Sequence, residues 1–573
     1  MTANRLVLGT AAAAAMLAWW TPRTAADTDK VGSKHIKHVL LLSIDGMHAV
    51  DFYNCAHGIA GANGGEPYCP NMAGLSRTGI NYVGAVSSKP SDSFPGIAAL
   101  VTGGTPKSAG LYYDVAYDRS LDGPATTTGT GLAATTCTPF APPTGTTTDN
   151  DQGVDIDDTK LNGGAPGAAL TEGGIASLDP NKLSRDPARG CAPVYPWNFV
   201  RTNTIFGVVH AAGGYTAWID KHPSYSMVGG PGGHGLNDYY APEVSSNVVA
   251  LPGVTAPGGV SCATVQDTSS LSGWNNSFLN IQCYDTLRLN GLLNEIAGET
   301  HNGARAEIPA IFGMNFQSVY TGQILIEPAL GTGGYVNAAG LPNPELVSEI
   351  SFVDTSIGEL VNALKHAGIY DDTMIIITAK HGMSPIDPNL LITNPSNTPA
   401  TLLATQLGDI PSSESPLTAG GIGATEDDVS VLWLIPGSSV TSAVQLLENN
   451  AAAIGLGEIY YGPTLALNYN VGGLGPGLDP RSPDIVVTPN VGMTYIGSGS
   501  ALGDHGGFGH DDTNVILLVA NSRFSPQTVS NATTTMQVAP TVLKALGLDP
   551  RALDAVRIEG TAVLPEVAAQ LEQ

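Results

Sequence analysis

Apolar runs recur along the chain with the lengths and spacing of strands alternating with helices. Residues 38–44, 204–209, 215–219, 308–315, 373–378, 429–434, 484–488 and 514–520 read as strands. Several are unbroken Val/Ile/Leu runs, the pattern of strands covered on both faces. Residues 354–367 switch to a helical period. Ile357, Leu360, Val361 and Leu364 form one apolar stripe, Asp354 or Thr355 caps it, and Gly368 stops it. A second helix begins near Pro540 and ends at Gly547. This alternation predicts an α/β fold: a mainly parallel central sheet with helices on both faces.

Two stretches break the pattern. Residues 119–192 are rich in Gly, Thr, Asp and Pro and predict a loop-rich insertion. Its carboxylates Asp149, Asp151, Asp155, Asp157 and Asp158 lack the Gly and Glu of an EF-hand loop and read as a solvated acidic stretch. Residues 389–503 mix weak strands and helices and predict a small lid subdomain over the sheet edge. Residues 1–28 read as a secretory signal peptide, with Arg5, an apolar stretch over 6–20 and Thr24-Ala25-Ala26 as the small-residue cleavage zone. Residues 29–573 are then one domain with two insertions, and no later segment is apolar enough to span a bilayer.

Charge narrows the partners. Only 13% of the 573 residues are charged, and 50 acidic against 24 basic side chains give a net charge of −26. Such a field repels nucleic acid and anionic membranes, so nucleic-acid binding is not expected. A small anionic substrate needs a local cationic site. The sequence names no protein partner. Six cysteines in Gly/Pro-rich stretches, none in a C-x-x-C pair, fit an exported, oxidised chain that is secreted, periplasmic or extracellular. Pairing of sequence neighbours (Cys55–Cys69, Cys137–Cys191, Cys262–Cys283) is the preferred arrangement among those that six cysteines allow.

The chemistry gathers where strands end. Asp45 follows the run 38–44, placing a carboxylate at the carboxyl end of a strand, where open α/β sheets hold their ligands. Ser93, in Ser91-Asp92-Ser93-Phe94-Pro95-Gly96, stands at a helix start. There its hydroxyl faces free N–H groups that stabilise an alkoxide or a phosphoryl group, unless it merely caps the helix. Lys380-His381-Gly382-Met383 follows the run 373–378, and Asp504-His505-Gly506-Gly507 precedes the last one. Lys380, set against Asp45 and Ser93, can activate the hydroxyl or simply neutralise the carboxylate. Lys221 and His222, after Trp218-Ile219-Asp220, can meet an anionic substrate, complete a metal shell, or form a plain charged turn. Asp504 can orient the His505 imidazole. His234 and His510 fall in loops.

Taken in order, these motifs resemble the alkaline phosphatase superfamily, and within it the type I phosphodiesterase/nucleotide pyrophosphatase branch. The resemblance runs from about residue 36 to residue 565. It includes Val101-Thr102-Gly103-Gly104-Thr105-Pro106, Ala539-Pro540-Thr541-Val542-Leu543 and Glu559-Gly560-Thr561. It implies an alkaline-phosphatase-like catalytic domain with a Ser or Thr nucleophile between two divalent metals, usually zinc. One metal is held by the first Asp and an Asp-His pair, the other by a D-x-x-x-H pair and the final His.

Asp45, Ser93, His381 and His505 match that pattern. Lys380 stands where the paired Asp is expected, and Val319 and Gln323 stand for the D-x-x-x-H pair, after a strand ending near Asn315. The implied metal residues are Asp45, His381 and His505, with Ser93 and Lys380 catalytic and Lys221, His222, Asn315 and Gln323 at the substrate. With so many ligands replaced, zero or one ion of zinc or another divalent cation is expected rather than two.

The expected activity is hydrolysis of a phosphodiester or related phosphoryl ester through Ser93. The alternatives are hydrolysis of another ester and a metal-depleted binding protein on the same fold. A sulfatase is disfavoured because Cys137-Thr138-Pro139-Phe140 and Cys191-Ala192-Pro193-Val194 lack the C-x-P-S-R pattern. An α/β-hydrolase is disfavoured because no G-x-S-x-G elbow occurs.

Overall fold

The computed structural model describes residues 36–128, 132–149, 178–244, 251, 253–263, 276–394, 396–407, 425–434, 438–470, 479–495 and 501–572. The signal-peptide expectation and the acidic stretch beyond residue 149 lie outside them. The central sheet is built from β1 (His38–Ile44), β2 (Gly79–Tyr82), β3 (Ala217–Ile219), β4 (Asp238–Tyr240), β5 (Ile311–Phe316), β6 (Thr373–Thr378), β7 (Leu517–Ala520) and β8 (Gln527–Val529). Their spatial order is β8-β2-β7-β6-β1-β5-β3-β4. Only β7 runs against its neighbours β2 and β6; the other pairs described are parallel.

Helices cover both faces. The ones that matter here are α1 (Pro70–Ser76), α2 (Ser93–Thr102), α3 (Ile205–Ala211), α4 (Phe278–Ile296), α5 (Ser318–Ile324), α6 (Pro344–His366) and α7 (Val538–Ala545). Strand alternation divides the core in two. Leu40, Leu42 and Ile44 of β1 pack with α1, α4 and α6, whereas Val39 and Leu41 pack with α2, α3 and α7. This is the predicted α/β architecture with a mainly parallel sheet.

Two local expectations fail for identifiable reasons. Residues 204–209 are not a strand but the start of α3. The Thr204 hydroxyl accepts the Gly207 N–H (3.2 Å), and Ile205, Phe206 and Val209 face the core at helical spacing. A six-residue apolar run does not by its periodicity separate strand from helix; the cap decides it. Likewise Asp354 does not start a helix, because α6 begins ten residues earlier, after Asn343, with Pro344 in its first turn. Buried in mid-helix, Asp354 instead accepts the backbone N–H groups of Asn71 (3.1 Å) and Met72 (2.8 Å), capping the neighbouring α1.

Residues 425–489 carry a separate antiparallel sheet formed by Thr425–Glu426, Ser430–Leu432, Ile485–Pro489 and Leu456–Tyr461. One of its faces, with Val431, Trp433 and Val486, packs on Tyr112, Tyr113 and Tyr117 from the segment after α2. An ion pair strengthens this junction: the Arg201 guanidinium holds both oxygens of Asp479, which also accepts from the Tyr112 hydroxyl.

Burial alone would raise the Asp479 pKa. The hydrogen bonds from Arg201 and Tyr112 and the Arg201 charge overcome it and hold the carboxyl at about 2. The folded pKa is therefore below the unfolded one, and the stability it contributes, about 2 kcal/mol, is complete above the ordinary carboxylate range. It disappears as pH falls through the folded value. Acid unfolding monitored by circular dichroism is expected to show this loss between about pH 4 and pH 2. Arg201→Met is expected to be destabilised already at neutral pH and to have a flatter profile there.

Three disulfides join Cys55 to Cys69, Cys137 to Cys191 and Cys262 to Cys283. These are the sequence-neighbour pairs, and they also remove both cysteines of the Cys-x-Pro segments from any sulfatase chemistry. Cys262–Cys283 closes a separation of 21 residues and ties the segment before it to α4. Replacing both by Ser is expected to cost about 3 kcal/mol in denaturant unfolding, through the entropy of the longer free loop.

Candidate active site

The register of the parallel strands assembles the site. Ser43 of β1 lies beside Asn315 of β5 and Thr378 of β6, and Met314 of β5 lies beside Ile219 of β3. Asp45, Asn315, Lys380-His381 and Lys221 therefore leave the sheet at the same carboxyl edge. At Asp45-Gly46 the chain turns sharply: Gly46 has φ +78°, and a Cβ there would meet the Gln323 side chain at 2.1 Å.

Ser93 arrives from the other direction, as the first residue of α2. The helix lies close against the Lys380 segment because Gly96 has no side chain; a Cβ would meet the Lys380 carbonyl oxygen at 2.3 Å. Asp92, not Ser93, is the N-cap residue. Its carboxylate accepts the Asp114 N–H (2.8 Å) and faces His505 Nδ1 at 3.3 Å. The Ser93 hydroxyl is thus left to the site.

The convergence is tight. Ser93 Oγ lies 3.2 Å from His381 Nε2 and 3.3 Å from Lys380 Nζ. Asp45 Oδ1 lies 2.7 Å from His381 Nε2, while Asp45 Oδ2 faces Lys380 Nζ at 3.2 Å, Lys221 Nζ at 3.3 Å and Asn315 Nδ2 at 3.2 Å. The His381 and His505 rings are 3.9 Å apart at their centroids. Asp45, Lys380 and His381 are 0% exposed, Ser93 1% and His505 7%. Tyr320 of α5 covers the outer side, its ring 5.9 Å from that of His505 and 5.5 Å from Lys221 Nζ.

Electrostatics separates the two imidazoles. Burial and the neighbouring His505 charge push His381 down to about 4, against the pull of Asp45. Burial also works against a charged His505, but its hydrogen bond and charge interaction with Asp92 win and raise its pKa. Lys380 is lowered by burial and by Lys221, with Asp45 opposing. Asp45, for which burial is the largest influence and an unfavourable one, is nevertheless held well below the usual carboxylate range by Lys221, Lys380 and His381.

Other expected residues sit elsewhere. His222 points its Nδ1 at Glu243 (2.7 Å) and stacks on Tyr225. Gln323 does not face Ser93; its amide donates to Gly46 O (2.8 Å) and Tyr335 OH (3.0 Å) and so braces the Asp45-Gly46 turn. Asp504 accepts the backbone N–H of its neighbour His505 (2.8 Å), while Asp92 is the carboxylate beside the ring. His234 lies in a loop, and His510, itself exposed, opens a short helix.

Three contributors escaped the sequence reading: Asp92, Tyr320 and Tyr225, whose hydroxyl accepts from Lys380 Nζ at 2.9 Å. Asp92 was adjacent to Ser93 and could have been flagged. The two tyrosines carried no local signal.

The model of the type I phosphodiesterase/nucleotide pyrophosphatase family matches residues 39–139 and 333–508. Over those two segments, which together make just under half of the chain, the sequence is similar to that family. It is a phosphodiesterase-like hydrolase on an alkaline-phosphatase-like fold. Two solved structures of murine ectonucleotide pyrophosphatase/phosphodiesterase 5, one of them an inactive variant in complex with AMP, share the fold. Each is 14% identical, with a TM-score of 0.51, covering 90% of this chain and 96% of theirs. No curated protein matches the chain.

The divalent ions of the family meet an altered donor set here. At one position Asp45 Oδ1, His381 Nε2 and Ser93 Oγ converge, but the fourth group is the Lys380 ammonium, with Lys221 beside it. At the other, Val319 is buried in the apolar core and Gln323, its Nε2 engaged at Gly46, brings a neutral amide oxygen, so that His505 alone of the family's three ligands is kept. Among the described residues no group of three or more His, Cys, Asp or Glu is placed to hold a metal. The residues present do not fit a two-ion centre.

Proposed function

We propose that this protein cleaves phosphodiesters or related phosphoryl esters through a covalent intermediate on Ser93. The observation that carries the reading is the position of one hydroxyl between a neutral imidazole and an ammonium group, His381 Nε2 at 3.2 Å and Lys380 Nζ at 3.3 Å.

His381 Nδ1 donates to the Gly382 carbonyl (2.9 Å), so the lone pair is on Nε2, facing the Ser93 hydroxyl. Nε2 takes the Ser93 proton as Oγ bonds to phosphorus, and the Asp45 carboxylate, 2.7 Å from that nitrogen, stabilises the imidazolium by its charge. The phosphorus–oxygen bond to the leaving group breaks, and His505, held protonated by Asp92, gives that oxygen its proton. Water then attacks the phosphoryl-serine while His505 accepts its proton, and Oγ leaves with the proton from His381. Lys380 favours the developing negative charge on Oγ at each step.

Among the described members of the site, Tyr320 is the partly exposed one, and we place substrate entry on its side. Secretion agrees with the three disulfides. Among the described residues no helix is long and apolar enough to cross a membrane.

The test is to quench the enzyme during turnover of a nitrophenyl phosphodiester and map the adduct by peptide mass spectrometry. One phosphoryl group on Ser93 is expected; a phosphoryl group elsewhere, or turnover with none, would overturn the mechanism.

A further inference from the structure

Where the family pattern supplies a carboxylate beside His381, this chain supplies Lys380, and Lys221 reaches the same Asp45 oxygen from the end of β3. Two ammonium groups therefore converge within 3.3 Å of one carboxylate oxygen, and one of them is also 3.3 Å from Ser93 Oγ.

We infer that Lys221 and Lys380 form a metal-free cationic clamp that holds the phosphoryl oxygens at Ser93, in the place of divalent ions. The inference rests on the reading of Ser93 as the phosphoryl acceptor and adds to it the source of positive charge.

Three observations carry it. An ion placed among Asp45, His381 and Ser93 would sit against two ammonium groups, an arrangement that Coulomb repulsion in a buried site opposes strongly. The second ion position keeps one of the family's three ligands, because Val319 has no donor atom and Gln323, its Nε2 engaged at Gly46, offers a neutral amide oxygen in place of an imidazole. Finally, the chain carries −26 overall, so a phosphoryl ester is drawn to Ser93 only by local cations; Lys380 stands beside Ser93, and Lys221 shares its Asp45 oxygen. Lys380 is steered by Tyr225 OH (2.9 Å), which fixes its ammonium over the nucleophile. The N–H aimed at Ser93 Oγ is then aimed at any phosphoryl group that oxygen carries.

The test uses the full-length secreted protein purified without chelators. Elemental analysis is expected to find zinc, manganese and other divalent metals well below one equivalent per chain. Titration calorimetry with inorganic vanadate, before exhaustive chelation and after removal of the chelator, is expected to give affinities equal within about twofold. Lys221→Met is expected to weaken vanadate binding by at least about tenfold, with partial recovery in Lys221→Arg, since a charge-assisted contact to the anion is lost and then restored. Lys380→Asp recreates an Asp-His pair and is expected to take up about one zinc ion per chain by elemental analysis.

Stoichiometric metal in the wild type would overturn the clamp, as would vanadate binding that disappears on chelation and returns with zinc. So would unchanged vanadate binding in Lys221→Met. Lysine-dependent, metal-independent vanadate binding without turnover of any phosphoryl ester would uphold the clamp and refute the hydrolytic reading of Ser93.

Discussion

Ser93→Ala is expected to lower turnover of a nitrophenyl phosphodiester by about ten-thousand-fold or more, the scale of losing a nucleophile that acts as a unit with its base. The size follows from the geometry. Ser93 Oγ is the hydroxyl that both His381 Nε2 and Lys380 Nζ contact, and the residue is almost wholly buried at the head of α2. Stability should change little, by about 1 kcal/mol, because the lost hydrogen bonds leave groups that keep other partners. Lys380 still donates to Asp45 and Tyr225, and His381 still faces Asp45. Steady-state kinetics beside a thermal melt separates the two effects. Wild-type turnover in Ser93→Ala would remove the nucleophile; a collapsed melt would mean that the residue is structural.

The second large effect is on stability. Asp45→Ala is expected to cost about 3–5 kcal/mol, the range for stripping a buried ion pair of one partner. Asp45 is fully buried and answers two ammonium groups, an imidazole and the Asn315 amide. Removing it leaves Lys221 and Lys380 facing each other without their shared counter-charge. Adding Lys380→Met to Asp45→Ala is therefore expected to recover part of the loss, although Lys380→Met alone is destabilising. A double-mutant cycle by urea unfolding measures this coupling. Additive losses would show that the carboxylate contributes through the sheet turn and not through the lysines.

The fold was legible where the chain is most regular. β1 and β6 have the bounds that their apolar runs indicate, because a strand covered on both faces must be apolar throughout and has little freedom in where it ends. Residues 204–209 were misread because a short apolar run meets the needs of a strand and of a capped helix equally well. Asp354 was misread because a carboxylate that caps a helix other than its own cannot be distinguished from one that caps its own.

Along the catalytic edge the same division holds. By itself the sequence determined the sheet, the nature of the fold and the local placing of five of the groups that meet: Asp45, Ser93, Lys380, His381 and His505. Each is written beside a strand end or a helix start, so local pattern is enough to place it. Tertiary structure alone decided which carboxylate faces which cation. Asp92, not Asp504, stands beside the His505 ring; Lys221 reaches Asp45 from another strand; Gln323 turns away to brace Gly46; His222 is taken by Glu243. Those pairings depend on parallel-strand register and on the close approach that Gly96 permits. Apart from His222–Glu243, the pairs named join segments more than a hundred residues apart, where local periodicity carries no information.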